Sequence, residues 1–254
     1  MQQPAWQTRA APSPGGAVVA TVHGDLDRSN REAFVEALAA LLVEHQRVVV
    51  DTSGLRPQHA SVVHAFTEAI DRTGGWPAAC LALVSPDPSL AALLTGSGVA
   101  RRVPVFSDVA DAVAHLDERP ALLLAWWRFT VDPHAPGLAR ARVRATCAHW
   151  GIEDRIREAA EIVVTELVTN SVEHATSASV VAMERRESTL RMTVRDYGVG
   201  HRIPDAGTWV APPTSSPRGR GLAMVAAVSR EWGIRRHPDG TTIWAEMTSE
   251  SVSA

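Results

Sequence analysis

The chain has 254 residues, a formal net charge of −3, and 45% hydrophobic against 21% charged residues, which suits two globular cores and gives no general pull toward nucleic acid or anionic membrane. No apolar run reaches the ~18–20 residues that span a bilayer, and the N-terminal MQQPAWQTRA lacks the basic-then-apolar order of a secretion signal, so the expected location is cytoplasmic, with no membrane and no nucleic-acid partner. All 25 basic residues are arginine, which excludes a P-loop lysine, the strand lysine of ordinary protein kinases and a lysine Schiff base; any bound phosphate must meet arginines, backbone amides or a metal.

Residues 17–23 (AVVATVH) and 47–51 (RVVVD) are β-branched runs that predict strands. Between them Phe34, Leu38, Leu41 and Leu42 recur at helical spacing behind Ser29 and Asn30. The alternation continues with a helix at 60–73, a strand at 80–84, a short helix at 87–95, a brief strand at 103–105 and a helix at 108–117. Repeated β-α alternation predicts one α/β domain over residues 1–119. Glu118-Arg119-Pro120 interrupts the pattern and places the boundary at 118–121.

A second domain is expected over 120–250. It opens with a strand, ALLLAWWRFTVDP, halted by Pro133, followed by a helix through Leu138, Val143 and Trp150 that stops at Gly151. Glu153 and Asp154 then open a long helix to about Ala175. Strands follow at 178–186 and 189–196, a loop rich in Pro, Gly and Ser at 201–218, a helix at 221–231 and a strand at 241–248. This order is α+β. Cys80 and Cys147 stand alone, with no CxxC and no histidine at metal spacing, and read as small buried hydrophobes.

Chemistry concentrates in the second domain. On the long helix, Ile156, Ala160, Val163, Val164, Leu167 and Val168 form an apolar stripe, while Glu166, Asn170, Glu173 and His174 occupy another face. The next motif, Asp196-Tyr197-Gly198-Val199-Gly200, closes a strand; its glycines let backbone approach a planar ligand, and an ionised Asp196 can accept from an exocyclic amine. Arg218-Gly219-Arg220-Gly221-Leu222 then opens a helix, where free amides and guanidiniums suit an anion.

Taken together and in this order, ELVTN, DYGVG and GRGL resemble the N, G1 and G2 boxes of the GHKL superfamily of ATP-binding folds. Within it, residues 128–247 look most like anti-sigma-factor serine kinases, on their short spacing and on the Trp150-Gly151 helix end. The resemblance implies ATP and Mg²⁺ as cofactors. By it, Asn170 coordinates the metal, Asp196 binds the adenine amine, and Gly198 and Gly200 shape the base pocket. Gly219, Arg220, Gly221 and Leu222 cradle phosphate, Thr242 supports Asp196, and Glu166 is the general base that deprotonates a serine hydroxyl.

Residues 17–27 (AVVATVHGDLD), followed by a helix and RVVVDTSG, resemble the STAS domain of anti-sigma-factor antagonists. The implied fold class is an α/β STAS-like domain followed by an α+β GHKL (Bergerat-type) ATP-binding sandwich. In STAS antagonists a phosphoacceptor Asp-Ser-Ser/Thr-Gly follows about eight residues after the strand-end Asp; here that place reads His59-Ala60-Ser61-Val62. Its Asp and Gly are missing, so Ser61 is expected to serve as a helix cap rather than as a phosphoacceptor.

The expected function is an ATP-dependent serine protein kinase and anti-sigma-type regulator of transcription. It would phosphorylate a STAS antagonist or bind a sigma factor, and a homodimer is compatible with the resemblance. The alternative is an ATP-binding switch or scaffold with little or no kinase activity.

Overall fold

A computed structural model describes residues 6–13, 16–85, 87–198 and 220–249. The chain divides into two compact units, residues 1–123 and 124–254.

The first unit is a five-stranded sheet in the order β1-β2-β3-β4-β5. Its strands are β1 (Trp6–Pro12), β2 (Val18–Leu26), β3 (Arg47–Pro57), β4 (Cys80–Val84) and β5 (Val105–Phe106). β1 runs antiparallel to β2, and the remaining neighbours are parallel. Helices α1 (Arg31–His45), α2 (Ala65–Arg72) and α3 (Pro88–Gly96) bury one face, and α4 (Val109–Ala114) packs on the other. Alternation along β3 sends Val48 and Val50 to the first core and Val49 to the second. A strand covered on both faces must be apolar at every position, which accounts for the unbroken VVV and CLALV runs. In the first core Phe34 of α1 meets Phe66 of α2 edge to face, with centroids 5.4 Å apart.

Helix α1 begins at Asn30, whose side chain makes no cap bond. The preceding Asp27 supplies the turn instead, its Oδ1 accepting from Ser29 N, Ser29 Oγ and Asn30 N. These bonds, led by the Ser29 hydroxyl, hold its carboxyl below the ordinary value. The segment expected as a helix at 60–73 is a 3₁₀ turn, Ala60–His64, leading into α2. Its cap position is His59, so the capping role expected of Ser61 is not realised; Ser61 is exposed within the turn. Asp51-Thr52-Ser53-Gly54 lies inside β3, where Thr52 is buried and donates to Val84 O at 2.7 Å.

The second unit is a five-stranded sheet in the order β6-β7-β8-β10-β9. It comprises β6 (Leu122–Phe129), β7 (Ser179–Arg186), β8 (Thr189–Asp196), β9 (Glu231–His237) and β10 (Gly240–Met247). Helices α5 (Ala135–His149), α6 (Asp154–Glu173) and α7 (Arg220–Val228) complete it. β7, β8, β10 and β9 pair antiparallel. Strict alternation buries Val181 and Met183, Leu190, Met192 and Val194, and Ile243, Ala245 and Met247. The α6 stripe expected from the sequence is buried in full, from Ile156 to Val168. Helix α5 ends as expected at Gly151, whose φ of +60° is the left-handed cap that glycine takes readily.

Two strands depart from the sequence reading. β1 was not expected, and the helix expected over 221–231 ends at Val228, after which β9 begins at Glu231. Among the described residues no helix is long and apolar enough to cross a membrane.

Candidate functional site

Three strands end together on the helix-covered face of the second sheet. Ser179 at the start of β7 and Thr241 at the start of β10 are both register partners of Asp196 at the end of β8. Directly opposed residues share a face, and all three are buried, Asp196 at 5% exposure. Asp196 turns its Oδ1 to the Gly198 amide at 3.1 Å, an Asx turn that fixes the carboxylate beside the chain reversal. Ser177 Oγ accepts from Tyr197 N at 3.0 Å and steadies the same turn.

This end of the sheet is built on close backbone contact. A Cβ on Gly198 would lie 2.6 Å from both Cβ and O of Ala175, just past the end of α6. A Cβ on Gly240 would lie 2.1 Å from Asp196 O, and Gly240 has a φ of +142°. Gly198 is therefore demanded by packing against α6, whatever it offers a ligand. Gly240 was not singled out from the sequence, although Asp239-Gly240 is a turn signal.

Thr242, expected to support Asp196, does not face it. Its register partner is Arg195 and its hydroxyl meets His237 Nε2 at 2.9 Å on the opposite face. Thr241 holds the place assigned to Thr242. The signal was present, because counting back in twos from Met247, Ala245 and Ile243 lands on 241.

Glu166 and Asn170 lie one turn apart on α6, both half-buried. Burial lifts the Glu166 carboxyl above the ordinary carboxylate range, and the charge of Glu173 adds to the effect. Glu166 forms part of the wall of a groove of about 360 Å³, with Arg140, Glu158, Glu161, Ile162, Thr165 and Met224. Behind it Glu161 is clamped by Arg144, through Nε at 2.9 Å and Nη2 at 2.5 Å, and by Arg157 Nη1 at 2.8 Å. Arg144 is the main reason that the Glu161 carboxyl sits below its usual range. Cys147 is buried nearby, its thiol pushed up to about 12 chiefly by burial, so it is inert.

Helix α6 joins the motifs. Glu166 touches Gly221, and Ala175 at the other end touches Gly198. Leu222 is half-buried in the first turn of α7. Gly200, Gly219, the side chain of Arg220 and the loop expected at 201–218 lie outside the described residues.

The residues in place fit an adenine nucleotide with magnesium. Asp196 offers a second carboxylate oxygen, and Asn170 a carboxamide, that take no hydrogen bond among the described residues. Among those residues no three His, Cys, Asp or Glu side chains gather as a metal site, so a metal held here would depend on Asn170 and on oxygens of the ligand itself.

Residues 129–247 match the family described as Histidine kinase-like ATPase domain, and residues 8–112 match the STAS domain. No curated protein matches the chain. Among solved structures, the chain is similar to an anti-sigma factor antagonist from Mycobacterium paratuberculosis, at 16% identity, 46% of this chain, 98% of that one and a TM-score of 0.39. It is similar to the RsbU and RsbW domains of a Mycobacterium tuberculosis protein, at 22% identity, 51% of this chain, 33% of that one and a TM-score of 0.39. It is also similar to the histidine kinase domain of a blue-light activated histidine kinase from Erythrobacter litoralis, at 17% identity, 89% and 97% coverage and a TM-score of 0.30.

Proposed function

We propose that this chain, which carries an N-terminal STAS domain and a C-terminal histidine kinase-like ATPase domain, is an ATP-dependent serine protein kinase of the anti-sigma-factor type. Its acceptor hydroxyl belongs to a partner STAS antagonist, and a sigma factor is the second class of partner. The observation that carries the reading is Glu166: a half-buried carboxylate with a raised pKa in the wall of an open groove, one turn from Asn170. A general base works best when its pKa is drawn toward the working pH.

In this reading ATP supplies the phosphoryl group, and magnesium neutralises charge on it. Asp196 receives the adenine amine, with Ser179 and Thr241 keeping its end of the sheet polar. Asn170 holds the metal. Glu166 orients the incoming serine and takes its proton.

The fused STAS domain supports an acceptor in trans. Ser61 is exposed but stands without the neighbouring Asp and Gly of an acceptor motif, and Ser53 lies within β3. The test is transfer from radiolabelled ATP to candidate STAS proteins by wild type and Glu166→Gln. A loss of at least ~100-fold in the variant is expected; equal transfer would remove Glu166 from the chemistry. The same lost acceptor motif favours a second reading, an ATP-binding switch with little kinase activity. Measuring ATP binding, hydrolysis and transfer separately distinguishes them, since the switch shows binding alone.

A further inference from the structure

Gly221 is the second residue of α7, and the space where its side chain would stand is filled by Glu166. A Cβ built there would lie 2.2 Å from Glu166 Oε2, 3.2 Å from its Cδ and 3.6 Å from its Cβ. All three neighbours belong to one flexible side chain. Gly198 and Gly240 differ, because their missing Cβ atoms would meet main chain. A side chain at 221 would therefore turn the Glu166 carboxylate away and leave the fold in place.

Among the described residues, no backbone contact at this position asks for glycine. Its φ is not positive, and glycine inside a helix costs about 1 kcal/mol relative to alanine. The Glu166 carboxylate takes no hydrogen bond among the described residues. Its direction is set by shape, between Gly221 and the groove wall of Ile162, Thr165 and Met224.

We infer that Gly221 is a positioning residue for Glu166: its missing side chain is the clearance that lets the carboxylate lie against α7 and face the groove. This inference rests on Glu166 being the base. It gives Gly221 a duty apart from admitting phosphate to the helix start, and it makes the seat of α7 on α6 part of the aim of the base.

The experiment compares wild type, Gly221→Ala, Glu166→Asp and the double variant. Three quantities are read: ATP affinity, phosphoryl transfer to a partner STAS protein, and the ¹³C NMR titration of the Glu166 carboxyl. In Gly221→Ala transfer from bound ATP, read at saturating ATP, should fall by about thirtyfold or more, and the Glu166 titration should move by about half a pH unit or more. Aspartate is one methylene shorter and makes room for the new Cβ. The double variant should therefore transfer about tenfold more than the product of the two single losses predicts.

A Kd raised by about tenfold with turnover of bound ATP unchanged would overturn the inference and leave Gly221 a phosphate contact. An identical Glu166 titration in wild type and Gly221→Ala would also overturn it. The titration needs no activity, so a wild-type chain that transfers no phosphate sinks the kinase reading alone, and Gly221 is then judged by the titration.

Discussion

Replacing Gly240 with alanine probes the sheet end that holds Asp196. The new Cβ would lie 2.1 Å from Asp196 O, 2.8 Å from Tyr197 Cα and 2.9 Å from Asp196 C. All three are main chain, so β8 and β10 must part or the turn must rebuild. Holding a non-glycine residue at a φ of +142° costs about 1–3 kcal/mol, and overpacking adds about 1–3 kcal/mol. The sum is about 2–6 kcal/mol. In a unit of this size each kcal/mol moves the melting midpoint by ~4 °C, so the second unit should melt ~8–24 °C lower in calorimetry. Gly233→Ala is the comparator, because the three atoms nearest its Cβ all belong to the Trp244 indole, the first at 2.8 Å, and that ring can shift; about 1–2 kcal/mol is expected there. ATP affinity should fall by about tenfold or more in Gly240→Ala as Asp196 is displaced. A Gly240→Ala midpoint no lower than that of Gly233→Ala would refute the reasoning.

Glu166→Gln should stabilise the second unit at neutral pH. The folded carboxyl is raised by burial and by Glu173, so the stability it contributes is complete below the unfolded pKa and is lost as pH rises through the folded value. Melts at pH ~7.5 should show the gain, and melts below pH ~4 should show none. Glu161→Ala has the opposite sign. Arg144 first, then Arg157, depresses that carboxyl against the opposing effect of burial. Its stabilisation is present above the unfolded pKa and is lost as pH falls through the folded value. Denaturant titration at pH 7 should show a loss of about 1–3 kcal/mol, discounted for the exposure of Arg144, and a smaller loss near pH 3. Incubation with ATP should place no more phosphate on wild type than on Ser61→Ala, which intact-mass measurement checks.

Much of this architecture was legible because the physics repeats along the chain. The unbroken VVV and CLALV runs announce strands covered on both faces, and the α6 stripe announces the face that meets the sheet. The site was legible only as far as local pattern reaches. Thr242 and Thr241 are chemically identical, and what separates them is a one-residue register, which becomes visible when the buried alternation of β10 is counted backward. Ser179 carries no mark of its own in the sequence. It matters because β7 happens to start opposite Asp196. β1 was missed because WQTRAAP is poor in β-branched residues and ends in proline, acceptable in an edge strand but a weak signal alone. The contact between Glu166 and Gly221 joins residues 55 positions apart, beyond any periodicity.

β9, EWGIRRH, is too polar to read as a strand, and that polarity shapes how the molecule behaves in a crowded solution. Among the described residues the strand is last in the order of its sheet, and Glu231, Arg235 and Arg236 are exposed along it. A sheet border with free amides and carbonyls invites any extended chain to add itself as the next strand. Here such a chain would have to desolvate charges of both signs to do so. The polarity that hides EWGIRRH from a strand reading thus guards the border against runaway stacking, and replacing Arg235 and Arg236 with threonine should show up as concentration-dependent light scattering.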